Sequence, residues 1–229
     1  MLNNEISSSN INTPKYWDNA FKEEWKVLQG SSTATATEKY NFYRWDGLKF
    51  EMVSNKMPLK GKLLDIGCGL GHFCRYMKAR NFYLDIYGCD FSSYAIRKAR
   101  EIAKICGMEI KFKFGGIEPL PYEDNTFDIV SAQEIIEHIS YPEEFLKEIW
   151  RILKPNGKMF LTTPYRGILG NEGIMSDEHV REWTPKELSP LIYKYFGNGE
   201  MIFPPIMMSV IKDEIKNIYW FLAIATKCL

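Results

Sequence analysis

The sequence predicts an α/β fold: a parallel sheet with helices on both faces, closed by an antiparallel C-terminal strand and fronted by an N-terminal helical lid. Three observations carry this reading. From residue 62 onward, short apolar runs of strand length alternate with segments whose apolar residues recur at three and four. Strands separated by helical crossovers pair in parallel and are covered on both sides. The last two apolar runs, "GEMIFPP" and "NIYWFLAIATK", need no long helix between them, so they can close the sheet as an antiparallel pair.

Taken in order, residues 1–13 are rich in Ser and Asn and lack a basic stretch followed by an apolar core, which predicts a disordered lead and no secretory signal. Residues 14–60 form an N-terminal helical cap, with two helical patterns, "PKYWDNAFKEEWKVLQ" and "EKYNFYRWDGLKFEMV", joined by "GSSTATAT". Most of their aromatics serve to anchor the cap to the core, and one or two face a ligand. The remaining residues, 61–229, make the main domain. Its strands are "KLLDIG", "YLDIYGCD", "EIKFKFG", "FDIVSAQ" and "KMFLTTP". Between them lie three helices, the third beginning at Pro142 with two glutamates in its first turn and bounded by Pro155 and Gly157. Thr184, Pro185 and Glu187 supply an N-cap, a first-turn proline and the carboxylate of a capping box, opening a further helix that runs to about Phe196. Residues 165–183 are an insertion after the fifth strand, at the sheet edge where substrate loops belong.

Bulk properties narrow the function. The 229-residue chain carries 29 basic and 29 acidic side chains, so no net field draws it to nucleic acid or to an anionic membrane. Cys68, Cys74, Cys89, Cys106 and Cys228 are odd in number and show no CxxC spacing, which favours a reducing, cytoplasmic setting over a disulfide framework. The longest apolar run, residues 218–225, is too short to span a bilayer and reads as a buried strand.

The segment "LLDIGCGLGHF" places Gly67, Gly69 and Gly71 directly behind an aliphatic strand and ahead of a helix. Such a turn lets a ligand approach the backbone, with helix N–H groups aimed at it. Asp90 ends the next strand, where a carboxylate can accept hydrogen bonds from both hydroxyls of a ribose. The G-x-G-x-G spacing differs from the G-x-G-x-x-G of dinucleotide sites and disfavours an NAD-dependent oxidoreductase. With Asp65 two residues ahead, it suits a cationic amino-acid moiety, and S-adenosylmethionine (SAM) carries one.

These residues, followed by "YGCDFSSYAIRKARE", "GIEPLPYEDNTFDIVSAQEIIEHI" and "LKEIWRILKPNGKMFLTTP" in that order, resemble the Rossmann-like class I SAM-dependent methyltransferases. The likeness is to the small-molecule branch that includes the ubiquinone-pathway O-methyltransferases. It implies that Asp65, Gly67 and Gly69 line the methionine end of the cofactor, with Cys68 in the same turn as a packing residue. It further implies that Asp90 holds the ribose, Phe91 stacks on the adenine, Ile117 offers its backbone amide, and Gln133 lies below the methionine. Gly116 stands where many relatives carry an aspartate that accepts from the adenine amino group, which passes that contact to water or to Glu118.

The run "EIIEHI" spaces Glu134, Glu137 and His138 for one face if the segment is helical, and His179 in the insertion can fold over the same edge. Two carboxylates and two imidazoles suit Mg²⁺, Mn²⁺, Fe²⁺ or Zn²⁺. The set therefore reads as a metal site, or as one in which His138, with Glu134 and His179, serves proton transfer. His72 reads as a capping or packing residue. The expected function is methyl transfer to a small-molecule acceptor, foremost at a hydroxyl oxygen, with or without metal assistance. RNA 3′-terminal 2′-O-methylation and a non-catalytic SAM-binding scaffold are the alternatives.

Overall fold

The computed structural model describes residues 13–28, 47, 49–81, 83–117, 119–165, 178–202, 207–211, 214–218 and 220–228. Its first element is helix α1 (Pro14–Leu28), and residues 49–54 are also helical. The main domain then runs β1 (Gly61–Ile66), α2 (His72–Arg80), β2 (Leu84–Asp90), α3 (Ser93–Ile105), β3 (Lys111–Phe114) and β4 (Phe127–Gln133). After a single 3-10 turn at Ile136–His138 come α4 (Pro142–Ile152), β5 (Leu153–Pro164), α5 (Pro185–Phe196), β6 (Glu200–Ile202) and the hairpin β7 (Met207–Ile211) and β8 (Glu214–Ile218). The last strand is β9 (Trp220–Thr226).

The seven-stranded sheet has the order β3-β2-β1-β4-β5-β9-β6, while β7 and β8 pair separately. Strands β1 to β5 are mutually parallel, and β9 runs antiparallel to both β5 and β6. The chain winds outward from β1 through β2 to β3, then crosses back to β4 on the other side. The carboxyl ends of β1 and β4 thus flank the point where strand order reverses, which is where open α/β sheets bind ligands.

Strand pleating distributes the core. Leu63 points to a layer with Phe73, Met77, Ile96 and Ala99 from α2 and α3, while adjacent Leu64 points to one with Phe145, Ile149 and Ile152 from α4. Ser92 caps α3, its Oγ accepting from the Ala95 N–H at 3.1 Å. The capping box of α5 forms as its residues dictate: Thr184 Oγ1 accepts from the Glu187 N–H, and Glu187 Oε2 accepts from the Thr184 N–H at 2.9 Å.

Two local expectations change. Helix α4 ends at Ile152, and the residues around Pro155 and Gly157 join β5 instead of closing the helix. Lys227 explains this: its N–H donates to Gly157 O, its carbonyl accepts from Asn156, and its Nζ donates to Leu153 O, pulling the segment into the sheet. The run after β4 is not an α-helix either. Glu134 takes a left-handed φ of 54°, breaking the periodicity, and only one 3-10 turn follows. Residues 166–177 of the insertion, most of the second N-terminal helical pattern and the 1–12 lead lie outside the described residues.

The described end of the insertion returns to the core through Trp183, which is buried and donates its indole N–H to Ile136 O at 3.4 Å. Replacing Trp183 with alanine should cost about 3–5 kcal/mol, the scale for emptying a buried aromatic site. Urea unfolding of the two proteins measures the difference.

Candidate active site

The turn after β1 is built so that only glycine fits. Gly67 and Gly69 hold φ of 67° and 50°. A Cβ on Gly67 would lie 2.1 Å from Ile135 Cδ1, and one on Gly69 would lie 2.8 Å from the Phe21 ring. Backbone N–H groups of Gly67 and Cys68 donate to Cys89 O, tying the turn to the end of β2. Asp90 completes the tie: its Oδ2 accepts from the Gly69 N–H at 2.9 Å and its Oδ1 from the Ser92 N–H at 2.8 Å. A carboxylate offers about four lone-pair sites, so two remain for the hydroxyls of a ribose.

Burial dominates the electrostatics. It pushes Asp90 up to about 6 against the opposing pull of the Ser92 and Gly69 N–H groups. It pushes Asp65 up to about 7, offset by hydrogen bonds from Ser131 and Cys74. Desolvation, with repulsion of Asp65 by Asp90 and of Asp90 by Asp18, penalises the ionised forms, and a cationic or hydrogen-bond-donating ligand relieves that penalty.

At the carboxyl ends of the strands the lining of a cavity of about 500 Å³ includes Gly67, Asp90, Phe91, Gly116, Ile117 and Gln133, together with Trp17, Phe21, Glu134 and His138. A second recess of about 280 Å³ holds Asp65, Cys68, Gly69 and Lys49 and shares Phe21, Gly67, Gln133 and Glu134 with the first. The eight residues expected around the cofactor thus lie on two adjoining recesses, Asp65, Cys68 and Gly69 on the smaller alone. The group fits SAM. The combined space is of ligand size, the glycine cradle leaves no room for side chains, and the buried Gln133 Oε1 has no hydrogen-bond partner among the described residues. Gly116 has no atom within 4 Å of an added Cβ, and Glu118 lies outside the described residues.

The sequence reading missed which cap residues enter the site. Helix α1 crosses the mouth: Asp18 accepts from Ser92 Oγ and the Tyr94 N–H, Phe21 covers Gly69, and Glu24 bonds His72. Trp17 packs edge-on to His138, ring centroids 5.2 Å apart. Tyr16 Oη donates to Glu178 Oε1, a hydrogen bond that raises the phenol to about 12 and keeps it protonated. The aromatic spacing of α1 signalled contact but not direction.

Beyond β4, Glu137, His138 and His179 each offer a ligand atom within 4.8 Å of the others. Glu137 is fully buried; its Oε2 accepts from Thr163 Oγ1 at 3.0 Å, while its Oε1 has no hydrogen-bond partner among the described residues. Burial, reinforced by the nearby Glu134 carboxylate, pushes Glu137 well above the usual carboxylate range. Burial also holds the His138 imidazole below its ordinary value. Glu134 stands apart from this trio. Its turned backbone directs it to β5, where Oε1 accepts from Thr162 Oγ1 at 2.8 Å, and Lys49 Nζ lies 4.0 Å away. His72 packs between Glu24 and Arg75.

Two outcomes follow from the carboxylates. Asp90→Ala should weaken binding of S-adenosylhomocysteine by roughly 1.5–3 kcal/mol, the scale of hydrogen bonds to a charged group, as read by titration calorimetry. Burial pushes Asp65 up to about 7 and Asp90 up to about 6, and a cationic or hydrogen-bond-donating cofactor would favour their ionised forms. Its affinity should therefore rise with pH through that window and level off above it. The sign for stability is opposite. Both folded values exceed the unfolded value of about 3.9, so the free protein holds more protons than the unfolded chain, and these groups lower its stability as pH rises from about 4 to 7. Thermal melts with and without ligand across that range check both signs.

Residues 64–161 match the family model described as a methyltransferase domain. The chain is 34% identical over 127 residues to a ubiquinone biosynthesis O-methyltransferase of Idiomarina loihiensis, covering 55% of this chain and 51% of that protein. It is likewise 34% identical over 119 residues to norajmaline N-methyltransferase of Rauvolfia serpentina, covering 51% and 40%. It thus spans about half the length of the curated relatives it matches. Among solved structures, a SAM-dependent methyltransferase from Methanosarcina mazei superposes with a TM-score of 0.60 at 21% identity, over 78% of this chain and 97% of that one, which shows a shared fold. The domain match, the strand order and the glycine and aspartate geometry agree in likening residues 64–161 to the class I SAM-dependent methyltransferases.

Proposed function

We propose that the chain transfers the methyl group of SAM to a hydroxyl oxygen of a small-molecule acceptor, and that Glu137, His138 and His179 hold a divalent metal beside the cofactor. One observation carries the reading: His138 lines the cofactor cavity and also belongs to the trio whose ligand atoms lie within 4.8 Å. The buried Glu137 Oε1, which has no hydrogen-bond partner among the described residues, supports a cation there. A mixed N/O set fits Mg²⁺, Mn²⁺ or Zn²⁺. An amine acceptor needs no such cluster, since it can be methylated as its free base. We place residues 14–60 as a cap on a domain of residues 61–229 with an insertion at 165–183. We place the protein in the cytoplasm, on its five free cysteines. Among the described residues no helix is long and apolar enough to cross a membrane.

The methyl group leaves sulfur as a carbon–oxygen bond forms, converting the sulfonium to a neutral thioether while the acceptor proton departs to solvent. Asp65 and Asp90 fix the cofactor, and the cavity walls align the acceptor behind the methyl carbon, which supplies much of the acceleration. A metal, when bound, lowers the pKa of a hydroxyl beside it. Trp17 and Phe21 cover the site and exclude water from the nucleophile.

Manganese titration followed by electron paramagnetic resonance should show one site. Glu137→Gln and His179→Ala should each weaken it at least about tenfold, as loss of a ligand requires, with S-adenosylhomocysteine affinity unchanged. In a turnover assay with simple vicinal diols and catechols, chelator should abolish methylation and added Mn²⁺ restore it. If chelator leaves turnover intact and only His138→Ala lowers it, by on the order of 10²–10⁴-fold, His138 is a general base and the metal reading is wrong.

A further inference from the structure

Each imidazole of the trio has its Nδ1 hydrogen-bonded to a group outside the trio. The Nδ1 of His138 lies 3.0 Å from the backbone carbonyl of Glu178, and a carbonyl only accepts, so Nδ1 carries the proton and the lone pair is on Nε2. The Nδ1 of His179 lies 2.8 Å from Glu182 Oε1, a fully buried carboxylate, which selects the same tautomer. Outer partners of this kind orient imidazole ligands and sharpen their donor strength. The segment that carries them is itself pinned, because the N–H groups of Val180 and Arg181 both donate to Glu137 O, at 2.8 and 3.1 Å. Its other end is fastened by helix α1, through the hydrogen bond from Tyr16 to Glu178 and the Trp17 ring against His138.

We propose that Glu182 and Tyr16 are positioning residues of the metal cluster: Glu182 sets the His179 ring, and Tyr16, acting through Glu178, sets the His138 ring. The N-terminal helix is then part of the metal site's framework as well as a cover for the cofactor. The inference rests on the metal reading above and extends it to residues outside the ligand set. It also separates two jobs on one helix turn. Asp18 serves the cofactor side through Ser92, while Tyr16 and Trp17 serve the metal side.

The test uses the full chain with Mn²⁺ and Co²⁺ as probes. Binding is read by electron paramagnetic resonance and by the visible absorption of Co²⁺, which reports coordination geometry. Glu182→Ala should weaken Mn²⁺ binding roughly 10–100-fold, the effect of losing an outer partner, and should alter the Co²⁺ spectrum. Glu182→Gln keeps an oxygen acceptor for Nδ1 and should recover part of the loss. Tyr16→Phe, which cannot disturb packing by size, should fall toward the lower end of that range. Unchanged S-adenosylhomocysteine affinity in each variant shows that the cofactor half is intact. Should Glu182→Ala fail to fold, Glu182→Gln and Tyr16→Phe carry the test. A wild-type chain that binds neither ion overturns the metal reading and this inference together. A wild-type chain that binds, loses the ion in Glu137→Gln, yet keeps full affinity and an unaltered Co²⁺ spectrum in Glu182→Gln and Tyr16→Phe overturns the positioning roles alone.

Discussion

The whole site hangs on one buried carboxylate. Asp90 accepts from the N–H of Gly69 in the turn after β1 and from the N–H of Ser92 at the start of α3, so a single side chain joins two chain segments that approach the same ligand. A buried carboxylate is tolerated only with such donors, and the amino end of a helix supplies them along with a favourable dipole. Ser92 passes the constraint on. Its hydroxyl caps α3 and donates to Asp18, which fixes helix α1 across the mouth of the cavity. The turn, the capped helix and the cover thus form one hydrogen-bonded unit.

The same molecule holds three carboxyl groups whose ionised forms are disfavoured by burial: Asp65, Asp90 and Glu137. Hydrophobic packing alone would have no use for them. Asp65 and Asp90 lie on the two recesses and Glu137 belongs to the cluster with His138 and His179, where a bound cation or donor would stabilise their charge or share their lone pairs. Marginal ionisation of this sort is common where ligands bind, since the free protein bears a cost that the complex removes.

How much was legible in the sequence depended on how local the cause was. The glycine turn and the box at Thr184 follow from neighbours within a few residues, and the alternation of β1 to β5 with helices followed from period and length. The end of α4 was misread because Lys227, distant in sequence but directly after the neighbouring strand β9, draws Leu153–Pro164 into β5. The separation of Glu134 from Glu137 and His138 was invisible for a related reason. Side-chain spacing assumed a helix, whereas the backbone at Glu134 is turned left-handed and bonded to Thr162. The approach of His179 to His138 depends on Trp183 seating the insertion against Ile136. The direction of Tyr16 and Trp17 depends on Asp18, and neither had a sequence signal stronger than aromatic spacing.

Strand β9 lies between β5 and β6 and carries hydrogen-bonded ladders on both sides, although it follows all the other strands in the chain. During translation, β1 to β5 and their helices can assemble as the polypeptide leaves the ribosome, but β5 then presents an unpaired apolar edge until residues 220–226 emerge. An open edge of this kind invites pairing with another nascent chain. Closure of the sheet therefore waits on residues 220–226, and chaperone shielding of the β5 edge until they pair would matter more for this protein's yield than the rate at which its parallel half folds.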